Sequence, residues 1–300
     1  MDWNETRSFL SCCFPETVRT EMELLQPGEL REIRIRAEKP TVFVTAGRAA
    51  ALDWQPSQEE VEAVVEALSG HSLYARSDET TRGFLTLQGG HRMGLSGRII
   101  SRNGGRSLAD IGSVCIRIAC EWPGCADTLM PLIRHGGQIG STLIIGLPGS
   151  GKTTMLRDIA RRLASGRDAV PTGVIDERGE LAACIRGVPQ LDLGDHTDVL
   201  DGVGRAEGVQ WLIRSMAPRA VITDELSGPE DAAAILDAQA CGAAVFASVH
   251  GASLQDVAAR PALAALMSRR VFDTYCLLGP EGGGVIAALY DRCGSPLQVL

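Results

Sequence analysis

From residue 30 the chain alternates apolar and polar positions: in ELREIRIRAEKPTVFVTAGR, Ile33 and Ile35 oppose Arg34 and Arg36, and Val42 and Val44 oppose Thr41 and Thr45. Period two predicts two antiparallel strands around a turn at Lys39-Pro40. In SQEEVEAVVEAL the period changes, with Val61, Val64, Val65 and Leu68 on one helical face and Ser57 placed as a cap. RGFLTLQGGHRMGLSGRIISRNGGR then reads as a hairpin or meander with Gly-rich turns. These elements predict a small α+β domain over residues 1–125, with its core at 30–118 and a short helical or irregular entry before it. CEWPGCADTLMPLIRHGG, residues 120–137, is broken by Pro and Gly and reads as a linker into a second domain over 126–300. From Ser141 short apolar strands alternate with helices: TLIIG, helix, TGVIDE, a long loop, helix AEGVQWLIRSM, AVITDE, helix PEDAAAILDAQA, AAVFASV, helix, TYCLL and GVIAAL. Such an order implies an α/β domain whose mostly parallel sheet is covered on both faces.

Between the first of these strands and its helix lies GLPGSGKTT, in which Gly146, Gly151, Lys152 and Thr153 fit the phosphate-loop pattern G-x-x-x-x-G-K-[ST]. Gly146, Leu147, Pro148, Gly149, Ser150, Gly151, Lys152, Thr153 and Thr154 are therefore the candidate nucleotide-binding residues, and the Thr153 hydroxyl a candidate Mg²⁺ ligand. Composition sharpens this reading. Of 29 basic residues only Lys39 and Lys152 are lysines. A compact ammonium has been kept at the loop where a planar guanidinium does not serve.

The remaining bulk properties bound the class. Three hundred residues with 45% hydrophobic and 22% charged side chains describe an ordinary soluble chain, and the net charge of −8 argues against a general nucleic-acid binder. The N-terminal domain does carry Arg82, Arg92, Arg98, Arg102 and Arg106, read as solvated strand faces, with Phe84 as the aromatic nearby. No signal peptide opens the sequence, and the most apolar stretch, 232–249, contains Asp237 and Gln239 and breaks at Cys241-Gly242, so no membrane insertion is expected. The nine cysteines include Cys115, Cys120 and Cys125 at even spacing, but read as free thiols of a reducing cytoplasm rather than a metal site.

Ligands of doubly wound sheets collect at the carboxyl ends of strands. Three polar groups fall there: Asp224 and Glu225 after AVIT, Asp176 and Glu177 after GVI, and His250 after AAVFASV. Asp224 is a candidate for the Mg²⁺ shell, Glu225 for orienting or deprotonating water, and His250 for reporting on the γ-phosphate. A hydrolase of this kind gains rate from a further cation, and this domain has no second lysine. Arg205 and Arg214 are the candidates, to act in trans from a neighbouring protomer.

GLPGSGKTT, VIDERGELAAC, the block from Gly187 to Glu225 and SVHGASLQDVAARP together resemble the stage III sporulation AA family, within the type II/type IV secretion ATPase superfamily. The resemblance implies a RecA-like phosphate-loop NTPase domain preceded by a small N-terminal domain. It further implies ATP with Mg²⁺ and a ring oligomer, expected to be a hexamer. The ring would lie in the mother-cell cytoplasm, at the membrane through a platform protein of a trans-envelope channel to the forespore. In that likeness Lys152 and Thr153 match the phosphate loop and Glu225 the Walker B glutamate, Asp176 and Glu177 fall on the acidic box, and His250 falls on the histidine box. Two departures stand out: the acidic box reads Asp-Glu instead of Glu-Asp, and His196 stands where the likeness implies Arg. A nucleic-acid translocase and a small-molecule kinase are the competing readings, the kinase disfavoured by a water-activating Asp-Glu pair.

Overall fold

The computed structural model describes residues 1–45, 47–70, 83–102 and 105–297, without the side chains of 101, 102 and 105–107. The chain divides into two compact units, Met1–Cys120 and Glu121–Leu300.

In the first unit, helix α1 (Trp3–Ser11) starts at a reciprocal cap between Asp2 and Glu5, and α2 (Glu16–Glu23) follows Pro15. Leu10, Phe14, Val18 and Met22 recur every fourth residue and are buried in this unit's core, which thus reaches N-terminally of residue 30. Strands β1 (Leu30–Arg36) and β2 (Lys39–Thr45) pair antiparallel with Ile33 opposite Phe43. Their turn is Ala37-Glu38, two residues before the expected one, and Glu38 takes the left-handed backbone at φ +57°. Pro40 lies inside β2, in the irregular step between the Arg36–Lys39 and Arg34–Val42 pairs, where its missing N–H breaks no ladder bond. After β3 (Arg48–Ala51), α3 (Gln58–Leu68) begins at a capping box of Ser57 and Glu60 and buries Val61, Val64, Val65 and Leu68, as its spacing predicts. β4 (Phe84–Thr86), β5 (Arg92–Arg102) and β6 (Gly105–Arg117) complete a sheet of order β3-β2-β1-β6-β5-β4.

The second unit begins inside the segment expected to be a linker. Ala126, Leu129, Met130 and Ile133, around the short helix α4 (Met130–Ile133), are buried in its core, and β7 (Arg134–His135) and β8 (Gln138–Ile139) form a small hairpin. Pro and Gly break this segment without freeing it, because its apolar residues have a surface to cover. The main elements follow: β9 (Thr142–Gly146), α5 (Lys152–Ala164), β10 (Thr172–Asp176), β11 (Thr197–Asp201), α6 (Arg205–Ser215), β12 (Ala220–Thr223) and α7 (Pro229–Ala240). Then come β13 (Ala244–His250), α8 (Leu254–Ala258), α9 (Pro261–Ser268), β14 (Thr274–Leu278), β15 (Ile286–Asp291) and β16 (Pro296–Leu297). Sheet order is β11-β10-β12-β13-β9-β14-β15-β16, parallel from β11 to β14 and antiparallel at β15 and β16.

The unbroken apolar strands reflect burial on both faces. Ile144 and Phe246 join Met155, Leu156 and Ile159 of α5, while Leu143, Ile145, Val245 and Ala247 join Leu212 of α6 and Ile235 of α7. Because β9, β10, β12 and β13 are parallel, their carboxyl ends share one sheet edge, with His250 in register with Gly146.

Candidate functional site

β9 ends at Gly146 and α5 starts at Lys152, so residues 147–151 form the loop between a buried strand and a helix N-terminus. Gly149 and Gly151 hold φ of +79° and +98°, which turns the loop around its own interior. A Cβ on Gly151 would stand 2.3 Å from the Gly284 nitrogen, in the β14–β15 hairpin, whose N–H donates to the Ser150 carbonyl at 3.1 Å. Lys152 Nζ donates to the Gly146 and Leu147 carbonyls at 3.0 and 2.9 Å and lies 3.0 Å from His250 Nδ1. Burial pulls the Lys152 pKa down against the opposing charges of Glu225 and Asp224. Nδ1 accepts from the ammonium, so the ring proton sits on Nε2, which faces Glu225 Oε1 at 3.1 Å. Glu225 Oε2 pairs with the Arg178 guanidinium. Lys152, His250, Glu225 and Arg178 thus form one continuous polar chain across the sheet edge.

Glu225 is aimed by its backbone. It adopts φ +53°, a conformation rare outside glycine, its N–H donates to Ser248 Oγ at 2.9 Å, and Leu226 N–H donates to the Ser248 carbonyl at 2.8 Å. Strand β13 therefore pins the turn that carries the carboxylate. Asp224 is buried beside it, and its carboxyl is pushed up to about 6, by burial first, then by Asp176 and Glu180.

Asp176 does different work from Glu225. Fully buried, it accepts from the N–H groups of Glu180 (2.8 Å), Ala182 (2.7 Å) and Ala183 (3.2 Å). Both of its oxygens hold the turn after β10. Glu177 Oε2 instead meets Arg205 at 2.9 Å. Arg205, with only 9% of its side chain exposed, also donates to the Asp224 carbonyl at 2.6 Å and reaches Asp231 at 3.8 Å. Arg205, one of the two arginines expected to act on a neighbour, is thus engaged by three groups of its own chain. Arg214 is exposed in the last turn of α6. Nine residues of helix, about 13 Å, separate it from Arg205. His196 stands just before β11, at the amino end of the sheet, where its carbonyl accepts from Thr172 N–H.

The donor set suits nucleotide and Mg²⁺. Ser150 Oγ is buried and unpartnered inside the loop, among the described residues, and Asp224 is a buried carboxyl short of countercharge. Thr153 in the first turn of α5 and Asp224 carry oxygen donors of the kind a hard divalent cation takes.

The sequence model for "Sporulation stage III, protein AA" matches residues 9–297. The chain belongs to the stage III sporulation AA family. Stage III sporulation protein AA of Bacillus subtilis (strain 168) is 41% identical over 292 residues, covering 95% of each chain. The ATPase DotB of Yersinia pseudotuberculosis superposes with a TM-score of 0.60 at 16% identity, covering 93% of this chain and 80% of that one. The pilus retraction motor PilT with bound ADP gives 0.60 at 16%, covering 91% and 81%. This sporulation family member therefore has the fold of RecA-like secretion ATPases, as its motifs imply.

Sequence reasoning missed Arg178, Ser248 and Asp231. Arg178 had a signal, a cation set between acids in DERGE, while Ser248 is visible only once β12 and β13 pair. Of the N-terminal arginines, Arg82 and the side chains of Arg102 and Arg106 lie outside the described residues. Arg92 stacks over Phe84 at 3.6 Å and Arg98 pairs with Asp110 at 2.8 Å. The nine cysteines are free thiols. Among the described residues no helix is long and apolar enough to cross a membrane.

Proposed function

We propose that this protein is an Mg²⁺-dependent ATPase that works as a ring, expected to be hexameric. Its ring would power assembly or transport by a trans-envelope complex, on the mother-cell side during sporulation, held at the membrane by a platform protein. The observation that carries this reading is the polar chain from Lys152 through His250 to Glu225 at the mouth of a left-handed glycine loop.

The residues divide the work. The N–H groups of 147–154 and the α5 N-terminus receive phosphate oxygens, and Lys152 turns from its loop carbonyls toward them. Thr153 and Asp224 would hold Mg²⁺, which when bound would supply positive charge to the phosphoryl oxygens. Glu225, aimed by Ser248, orients the attacking water and takes its proton. His250 keeps Glu225 and Lys152 in register. Asp176 fixes the turn that presents Glu177 and Arg178, and the Glu177–Arg205 pair ties that turn to the start of α6. Arg214 is the cation offered to a neighbouring protomer.

Release of inorganic phosphate by the purified chain tests the reading. Wild type releases phosphate with Mg²⁺ and ATP but not with a chelator. Lys152→Ala abolishes binding and release, and Lys152→Arg is nearly as damaging because a guanidinium does not fit the loop. Full activity of either variant would overturn it.

A further inference from the structure

We infer that Arg178 is a clamp released by the γ-phosphate: its guanidinium holds Glu225 while no triphosphate is present and passes to the γ-phosphate when one arrives, freeing the carboxylate for water. This inference rests on the ATPase reading above.

Both oxygens of Glu225 are occupied, Oε2 by Arg178 and Oε1 by His250 Nε2. These contacts take two of the carboxylate's four or so lone-pair sites and crowd the approach of a water, so this arrangement is a resting one and departure of a partner opens Glu225 to water. The choice between partners follows from how each is held. His250, 41% exposed, is held at both ring nitrogens, by Lys152 and Glu225, whereas the Arg178 side chain stands 52% exposed. An ion pair exposed to that extent is weakly held and exchanges readily. Arg205, the other arginine at this edge, is buried under three partners and cannot exchange.

The clamp also has a rigid base. Asp176, two residues before Arg178, fixes the following turn through three backbone N–H groups. A γ-phosphate offers more negative charge and more acceptor oxygens than one carboxylate, and a guanidinium fork matches it. ADP lacks that group and leaves the clamp closed. Hydrolysis removes the competitor, and Glu225 recaptures Arg178.

Calorimetric titration of the full chain with Mg²⁺ and either ADP or the β,γ-imido analogue of ATP reads this exchange. Arg178→Ala is expected to weaken the analogue about tenfold or more, the scale of a charge-assisted contact, while ADP affinity moves by less than about twofold. Arg178→Lys falls between. Glu225→Gln, which removes the competing carboxylate, tightens the analogue severalfold when Arg178 is present and leaves it unchanged in the Arg178→Ala background, a coupling that simple misfolding does not produce. The clamp is overturned by an unchanged analogue-to-ADP ratio in Arg178→Ala, by equal weakening of both ligands, or by a Glu225→Gln gain that persists without Arg178. Failure of the wild type to bind either nucleotide would instead overturn the ATPase reading, and the clamp with it.

Discussion

Replacing Asp176 by Asn separates a scaffold role from a chemical one at almost constant volume. The carboxylate accepts from Glu180 N–H on one oxygen and from Ala182 and Ala183 N–H on the other, with no solvent exposure. An amide presents an NH₂ to one of those sides, leaving one or two buried N–H groups facing a donor. Each orphaned group costs about 1–3 kcal/mol, and the remaining contacts lose their charge assistance. Against this, removing the charge relieves its repulsion with Asp224, whose carboxyl is raised to about 6 mainly by burial and next by Asp176. That relief amounts to roughly 1 kcal/mol. The net expectation is a loss of about 2–3 kcal/mol in the C-terminal unit, read as a lower urea midpoint by circular dichroism, with hydrolysis falling because Glu177 and Arg178 lose their support. Stability within about 0.5 kcal/mol of wild type together with abolished hydrolysis would refute the reasoning and make Asp176 a chemical participant.

Two further outcomes follow from other parts of the chain. His91 is 1% exposed, accepts from Ala119 N–H at 3.0 Å, and has its pKa pulled from 6.5 to about 4, chiefly by burial. The unfolded chain then binds the extra proton between those values, so stability is intact above pH 6.5 and falls as pH drops toward 4, by about 2 kcal/mol at pH 5. Denaturation of the N-terminal unit at pH 7 and 5 measures the drop, which His91→Gln is expected to abolish. For assembly, an inactive Lys152→Ala chain mixed with an Arg214→Ala chain restores hydrolysis if Arg214 serves a neighbour's site, and additive residual rates exclude that role.

The elements of the C-terminal unit that read clearly in the sequence are those buried on both faces. TLIIG, AVIT and AAVFASV are apolar apart from Thr142, Thr223 and Ser248, because helices cover each side of β9, β12 and β13. Edge strand β11, TDVLD, was lost in a long loop since none of its five residues is fully buried and two are exposed. Between β13 and β14 one expected helix is two, α8 and α9, parted at Arg260-Pro261, where proline bars the preceding residue from helical backbone. In the site, the strand–loop–helix at 142–164 was legible because a glycine-rich run sits between an apolar strand and a helical apolar pattern. The acidic box was legible as a pair of carboxylates but not as a division of labour. Which acid turns inward to backbone N–H groups depends on the chain returning at Ala182 and Ala183, and spacing does not encode that return. Arg205 was a candidate as an arginine lying between the two acidic boxes, and spacing does not show that Glu177, Asp231 and the Asp224 carbonyl of its own chain surround it.

The central claim is that Glu225 takes the proton of water attacking ATP held by the loop at 146–154. Single-turnover hydrolysis by Glu225→Gln, with excess protein over ATP and Mg²⁺ present, tests it most directly because binding and chemistry are read on one sample. The account predicts that ATP stays bound while the hydrolytic rate falls about a hundredfold or more. Hydrolysis at the wild-type rate from fully bound ATP would contradict it.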